Sequence, residues 1–541
     1  MKGQQRTQGT NGTSRPVRSW MVWGSVALAG FLSLAVELSL SRLLRPWFGD
    51  MLIVWAAIIG FVLLYLALGN IIGGRWSEHT SVHRLNLLLT LAGVGIYLMP
   101  LVTHPLLALA QRGMRAYALT LPAVALGVTF VLLAFPLTLL GTISPQAVAL
   151  LTGDRRESGR VAGRVLALGT FASLLGAFLP VFWLLPQLGT RRTFALLGVM
   201  PLAWAGLTWL LQRRRRWGVA ALGLLLVGVL ALPVWASGPL KGMDPSGRGR
   251  VLYEEETLYS YIQVVEWQGE RWLRLNEGEG IHSVWRPGPG LSGGIWDYFL
   301  LAPAFRAQAR TGNEVNSLLV IGLAGGTIPI LYARAFGPVH MVGVELDPAI
   351  IRVAYRYFGL GELSTLEAVA GDGRVVVAHS QERFDVIAVD AYRPPYIPFH
   401  LTTVEFFQLL KDHLTPGGVV AVNAARTADD FSLVDALSGT MQQVFPAVYI
   451  VDEPLNGAAW GNSVVIASRE PVSLEDIRAR LAHTSNPYVR EMARRAEGHI
   501  RPAPAATIVL TDDRAPIEQI VHGIIWRYVR GDGKPRHPAE P

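Results

Sequence analysis

Cysteine is absent from the chain. That excludes disulfides, thiolate metal sites and a cysteine nucleophile, and it leaves the compartment open. No His-x-x-x-His pattern falls in a helical context, so no zinc spacing remains and no metal is expected. Acidic residues are nearly missing from the first part of the chain. Up to Ala236 there are 5 Asp and Glu against 20 Lys and Arg, whereas after Ala236 there are 35 against 28. A basic, apolar half is what Arg-rich loops between membrane spans produce. The acidic half either favours a cationic substrate or has the ordinary mild acidity of soluble domains.

What is present in excess is apolar length. Mean hydropathy is +0.34, high for a soluble enzyme. Behind a polar arm (1–19), apolar runs near the bilayer length recur at Trp20–Leu40, Met51–Ile72, Leu85–Val102, Leu119–Leu140, Val165–Leu185, Thr193–Leu211 and Trp217–Ala236. The first run is too long for a cleaved signal peptide and lacks a small-residue cleavage pattern. About seven spans are therefore expected over 20–236, in an integral multi-pass protein of the cell (inner) membrane. Trp20, Trp23 and Trp217 fit interface anchors. With seven spans, the arm, the Arg155–Arg164 loop and Arg213–Arg216 share one side. The positive-inside rule then puts the N-terminus in the cytoplasm and the C-terminal part opposite, and one re-entrant segment would reverse the latter. The Arg213–Arg216 run is a topology signal, and no nucleic-acid partner is expected. Glu37, inside the first run, is either a functional intramembrane carboxylate or an ion-pair partner of Arg42 or Arg45. No internal repeat of the kind many transporters carry is evident.

A Gly- and Pro-bearing linker (237–250) precedes a different pattern. Leu258–Trp267 and Arg271–Leu275 flank the turn Gln268–Glu270 and predict a β-hairpin. From Val315 strands and helices alternate, which predicts a mostly parallel, doubly wound α/β domain over 251–470, followed by a helical extension (471–541). Leu474–His499 reads as one charged amphipathic helix. The strand Ser317–Ile321 runs into Gly322-Leu323-Ala324-Gly325-Gly326-Thr327 and a helix. Small residues such as Gly322, Ala324 and Gly326 let the backbone approach a ligand at the helix N-terminus. The strand His340–Val344 ends in Glu345-Leu346-Asp347. An acid about 20 positions past a glycine turn is placed to accept hydrogen bonds from ribose hydroxyls. Gly371-Asp372-Gly373 follows a short strand, where an adenine edge would be met. Asp390 follows the strand Phe384–Val389, either as a catalytic carboxylate in the crevice or as a capping residue.

The order of the glycine turn, Val344-Glu345-Leu346-Asp347, Gly371-Asp372-Gly373, Asp385-Val386-Ile387-Ala388-Val389-Asp390 and Leu414-Thr415-Pro416-Gly417-Gly418 resembles the spermidine synthases, or polyamine aminopropyltransferases. Their Rossmann-like domain is shared with methyltransferases. The likeness covers roughly Val251 to Ser468. The membrane half resembles the helical region fused to bacterial spermidine-synthase-like proteins, most specifically at Ser158–Arg164 and Gly189-Thr190. Thr511-Asp512-Asp513-Arg514-Ala515-Pro516 resembles their closing motif.

The resemblance implies an N-terminal transmembrane bundle followed by a Rossmann-like domain with a β-hairpin region. It also implies transfer of an aminopropyl group from decarboxylated S-adenosylmethionine to a small-molecule amine. Glu345, with Asp347, would hold the ribose, Asp372 and Gly373 the adenine, and Asp390 would be the general base. Dimers are usual in the family, so a homodimer is an expectation. Some positions depart from the pattern. The turn's aspartate is Gly325, a second carboxylate is Arg393, Tyr-Gln is Tyr259-Ser260, and Tyr-His-Glu is Ile295-Trp296-Asp297. These changes fall on the substrate side, where Tyr259, Asp297 and Arg393 are candidate contacts. Asp297, Asp512 or Asp513 would restore the lost negative charge, unless the Asp512-Asp513 pair caps or lies on the surface. Two other functions stand beside this one: an S-adenosylmethionine-dependent methyltransferase, and a transporter or sensor that binds a nucleoside or polyamine without chemistry.

Overall fold

The computed structural model describes residues 19–48, 52–117, 121–236, 249–276, 280–307, 314–392 and 396–530. The chain divides into two compact units. The first is all helical: α1 (Ser19–Phe48), α2 (Leu52–Trp76), α3 (Val82–Tyr117), α4 (Leu121–Gly141), α5 (Ile143–Leu151), α6 (Ser158–Leu179), α7 (Leu185–Leu211) and α8 (Arg215–Ala236). Among the described residues five segments are long and apolar enough to cross a membrane, by length and composition. Seven were expected. The count falls because Ser158–Leu211 forms one run and α8 is not among the five. Within that run the helix is broken at Gly189, whose φ of 76° and ψ of 171° lie outside helical geometry. The outward faces are apolar: Phe171 and Phe182 are 72% and 73% exposed. Exposed apolar faces of this extent are uncommon on surfaces that meet water. Glu37, offered by the sequence as an intramembrane carboxylate or an ion-pair partner of Arg42 or Arg45, is buried in α1.

The second unit begins with a four-stranded antiparallel sheet, β1 (Arg250–Glu256), β2 (Tyr261–Trp267), β3 (Glu270–Leu275) and β4 (Ser283–Trp285). The expected hairpin is its centre. Gln268 and Gly269 both have positive φ, the two-residue turn that matches the twist of paired strands. The nucleotide-type fold follows as β5 (Ser317–Ile321), α9 (Thr327–Phe336), β6 (His340–Glu345), α10 (Pro348–Tyr357), β7 (Leu366–Ala370), α11 (Gly373–His379), β8 (Phe384–Val389), α12 (Val404–Asp412), β9 (Leu414–Thr427) and α13 (Ser432–Met441). It closes with β10 (Ala447–Asp452), β11 (Trp460–Ser468), α14 (Leu474–Ala482), α15 (Pro487–Arg495), β12 (Ile500–Pro502) and α16 (Ile517–Arg530). The expected single helix at Leu474–His499 is two. Asn486 caps the second with its side chain, and Pro487 occupies the first turn, where a missing N–H costs nothing.

The large sheet runs β12-β10-β11-β9-β8-β5-β6-β7. The five strands β5 to β9 are parallel, and β10 to β12 join antiparallel, so this is a mixed Rossmann-like sheet. Its apolar face is covered by the 3₁₀ run Ile295–Phe305, every residue of which is buried. Strand order reverses between β5 and β8, and the crevice outside their carboxyl ends is where such sheets bind ligands. There the two chains nearly touch. Asp390 N–H donates to the Ile321 carbonyl at 2.9 Å, and a Cβ on Gly322 would lie 2.4 Å from the Asp390 carbonyl oxygen. Gly322 also has φ of 90°. Gly322→Ala should therefore lower thermal stability, by about 1–3 kcal/mol or more, in a calorimetric or fluorescence melt of the second unit's transition. An unchanged melting temperature would mean that the two strand ends move apart freely.

Candidate active site

The carboxyl ends of β5, β6, β7 and β8 open into one cavity of about 1660 Å³ in the second unit. Its floor is the glycine turn. Ala324, with φ of 48°, turns its N–H onto a Glu345 carboxylate oxygen at 2.9 Å. The other Glu345 oxygen accepts from the Asp347 N–H at 3.2 Å. Burial pushes the Glu345 carboxyl up to about 7, against the pull of these donors. Gly373 has no room for a side chain, since a Cβ would lie 2.4 Å from Ile321 Cγ2. Next to it, one Asp372 oxygen accepts from the Arg374 and Val375 N–H groups and so caps α11. The other lies 2.9 Å from His400 Nε2.

Asp390 stands on the far side of the turn. Trp296 Nε1 donates to one of its oxygens at 2.9 Å and Asn423 Nδ2 to the other at 2.8 Å. Both donors are neutral, so no cation compensates the charge, and burial raises the Asp390 carboxyl to about 6. Asp390 is held by side chains from two other elements and caps no helix. Neither partner is evident as a site residue from sequence. Asn423 carries one signal, a single amide in the apolar run Val419-Val420-Ala421-Val422. Register puts it beside Asp390, because Val389 pairs with Val422.

Several other expected residues are differently engaged. Asp347 lines the cavity, but one oxygen accepts from Ala349 N–H at the start of α10 and the other from Thr257 Oγ1 at 2.5 Å. Asp297 is fully buried outside the lining. It accepts from Ser292 N–H and Oγ and from Gly293 N–H, each at 2.7 Å, and so shapes the turn that carries Trp296. Asp512 and Asp513 do not line the cavity. Both Asp512 oxygens are taken by Arg374 at 2.7 Å, and this hydrogen-bonded pair holds the Asp512 carboxyl below the usual carboxylate range. Asp513 is exposed. Tyr259 does line the cavity, while Arg393 lies outside the described residues. At Gly325 there is no space for the aspartate of the family pattern. Its N–H donates to Ser283 Oγ at 2.8 Å, and a Cβ would meet Ser283 Cβ at 2.7 Å and Phe358 Cδ1 at 3.0 Å.

The carboxylates that sequence reasoning missed are Glu270 on β3, Glu453, just past β10, and Glu518, in the first turn of α16, all lining the cavity. Among the described residues the lining has seven carboxylates and one guanidinium, and that guanidinium, Arg286, is paired with Glu270 at 2.7 Å. Such a wall attracts cations and repels anions.

The chain is similar to several known proteins. Residues 313–469 match the spermine/spermidine synthase domain. A probable polyamine aminopropyl transferase of Bifidobacterium longum is 33% identical over 289 residues, 50% of this chain and 63% of that protein, so the chain spans less than two thirds of that relative. A polyamine aminopropyltransferase of Vibrio vulnificus is 30% identical over 229 residues, 41% of this chain and 73% of its own length. One from Mycobacterium tuberculosis is 28% identical over 409 residues, 71% of this chain and 75% of that protein, more of this chain than its second unit alone supplies. With a Rossmann-like sheet, a match to the synthase domain and a relative 30% identical over 73% of its length, the chain belongs to the spermine/spermidine synthase family of polyamine aminopropyltransferases.

Proposed function

We propose that the protein is a membrane-anchored aminopropyltransferase that moves an aminopropyl group from decarboxylated S-adenosylmethionine to an amine. The observation that carries this reading is Asp390: a half-buried carboxylate held by two neutral donors, across the switch point from the glycine turn, in a cavity with a large excess of negative charge. The anchor is supported by the five long apolar helices and their exposed aromatic faces.

A nucleoside fits the residues at the floor. Glu345 ends the second parallel strand and offers carboxylate lone pairs to ribose hydroxyls, as dinucleotide folds do. Gly373 and Asp372 line the cavity beside it, where a base would lie. The donor, when bound, supplies a sulfonium-activated methylene carbon. The amine nitrogen forms the new N–C bond as the C–S bond breaks, its electron pair stays on sulfur, and methylthioadenosine leaves uncharged. The attacking nitrogen must be neutral, and the secondary ammonium it becomes must lose a proton. Asp390 accepts that proton, and Trp296 and Asn423 aim its oxygens. Its raised pKa brings it nearer to the amine it serves, which strengthens it as a base. The remaining acceleration is positioning.

Asp390 works only when ionised, so kcat/KM should fall as pH drops through about 6. Deprotonation of the amine itself adds a separate rise at alkaline pH. Asp390→Asn should lower methylthioadenosine release about 10²–10⁴-fold by mass spectrometry. Turnover of Asp390→Asn close to wild type would refute the role of base. Preference for the carboxylated donor, with methyl transfer, would make the protein a methyltransferase. Glu345 accepts ribose hydroxyls best as the anion, so methylthioadenosine affinity should rise with pH through about 7. Glu345→Gln should weaken that affinity about tenfold or more and flatten its pH dependence in a calorimetric titration. A variant that kept both would show that Glu345 only shapes the turn.

A further inference from the structure

The turn Thr511-Asp512-Asp513-Arg514 lies outside the span matched by the synthase domain and does not line the cavity. It is nevertheless firmly seated. Thr511 and Arg514 exchange backbone hydrogen bonds at 3.0 Å, which closes the turn. Leu510, just before it, is buried. Its N–H donates to Thr440 Oγ1 on α13, and its carbonyl accepts from the Val404 N–H at the start of α12, both at 2.9 Å. The Asp512 N–H donates to the Glu405 carboxylate at 3.0 Å. The backbone thus holds the Asp512 side chain at a fixed place beside α11 and α12.

From that side chain a set of hydrogen bonds runs to the cavity and closes on itself. The two Asp512 oxygens accept from Arg374 Nη1 and Nη2 at 2.7 Å each, a two-pronged pair that fixes a guanidinium in orientation as well as distance. Thr403 Oγ1, at the cap of α12, donates to the same Asp512 Oδ1 at 2.7 Å. Arg374 Nη1 also donates to the His400 carbonyl at 3.1 Å. His400 Nε2 lies 2.9 Å from Asp372 Oδ2, and the Arg374 N–H donates to Asp372 Oδ1 at 3.0 Å. Asp372 and His400 line the cavity, while Arg374 and Asp512 stand behind them. With a carboxylate opposite, Nε2 is the His400 nitrogen that carries hydrogen. The neighbours of Asp372 are therefore donors, and the lone pair left on Oδ2 favours an N–H and opposes a carbonyl oxygen.

We propose that Asp512 is a positioning residue for the nucleobase pocket: it holds Arg374, Arg374 holds the His400 backbone, and the His400 ring aims the Asp372 oxygen that meets the base. The pocket built in this way prefers a 6-aminopurine to a 6-oxopurine, and that preference depends on a residue of the C-terminal extension that never touches the nucleoside. This rests on the nucleoside reading of Asp372 and adds the residues that set its geometry. The Arg374–Asp512 side chains are 25% and 41% exposed, and ion pairs so placed add little to stability. What the pair supplies is orientation, so its loss falls on the ligand more than on the fold.

The test uses the full-length protein in detergent, titrated calorimetrically with methylthioadenosine and with its 6-oxo analogue, methylthioinosine. The wild type should bind methylthioadenosine about tenfold or more tightly than the analogue. Asp512→Asn and Arg374→Lys each break the two-pronged pair. Both should weaken methylthioadenosine binding about fivefold or more and methylthioinosine binding less, so that the preference shrinks. Asp512→Glu should recover part of it, and Asp513→Asn, at the exposed neighbour, should change neither affinity. A melting temperature close to that of the wild type reports that the variants are folded. In a His400→Ala background Asp512→Asn should cost little further preference, because the path to the base is already cut. Unchanged affinity and preference in both Asp512→Asn and Arg374→Lys overturn the proposal. So does an equal loss for the two nucleosides, or an Asp512→Asn effect as large without the His400 ring as with it. A wild type with no preference between the nucleosides refutes the premise that Asp372 meets the base, and the proposal falls with it. The wild type alone therefore tells the two failures apart.

Discussion

The site depends on the contact between the ends of β5 and β8. Two parallel strands can be neighbours in a sheet and still lead their following chains to opposite faces, and a crevice opens where they part. Here the crevice is narrowed until the Gly322 backbone rests against the Asp390 carbonyl. That approach brings the Asp390 side chain close to the turn that presents the Ala324 N–H to Glu345. Asn423 reaches it from β9, one strand further, and Trp296 from the buried 3₁₀ run beneath. These polar groups of the candidate site are thus referred to one backbone crossing, which tolerates no side chain. Rigid strands aim these groups more accurately than loops would.

Much of this is legible in the sequence because it is local. The alternation of apolar strands with helices, the glycine turn and the acid after β6 each leave a mark within a few residues. The four-stranded sheet was half visible, since the Gln268-Gly269 turn declares its hairpin while β1 and β4 depend on long-range pairing. What a carboxylate does once the chain has folded is another matter. Asp347, Asp297 and Asp512 look like site residues by position, yet a helix start, a tight turn and a guanidinium take their lone pairs. Glu453 and Glu518 carry no local mark. Only the fold, which brings the end of β10 and the start of α16 to one cavity, places them there.

The helical unit carries apolar side chains on its outside as well as its inside. Large apolar side chains such as Leu166 and Phe182 point outward while its interior holds Thr, Asn and Ser, which hydrogen-bond between and along helices. Asn86 Nδ2 to Thr208 Oγ1 at 2.6 Å is one such pair. Small residues let backbones approach closely, as where a Cβ on Gly69 would lie 2.3 Å from the Thr138 carbonyl oxygen. Packing of this kind is what holds helices together when lipid, equally apolar, removes the hydrophobic drive for them to associate.

The strand β12 has a consequence for solubility. A mixed sheet of eight strands must end somewhere, and a long open edge is a template onto which a second molecule can add its own strand. At this end the last place is filled by three residues, Ile500 to Pro502, paired with Val451, Ile450 and Tyr449. Proline has no N–H to offer, so growth of the sheet stops at Pro502. The segment after α15 thus serves as a terminator, and a chain cut short before Ile500 would leave β10 bare and prone to aggregate through its edge.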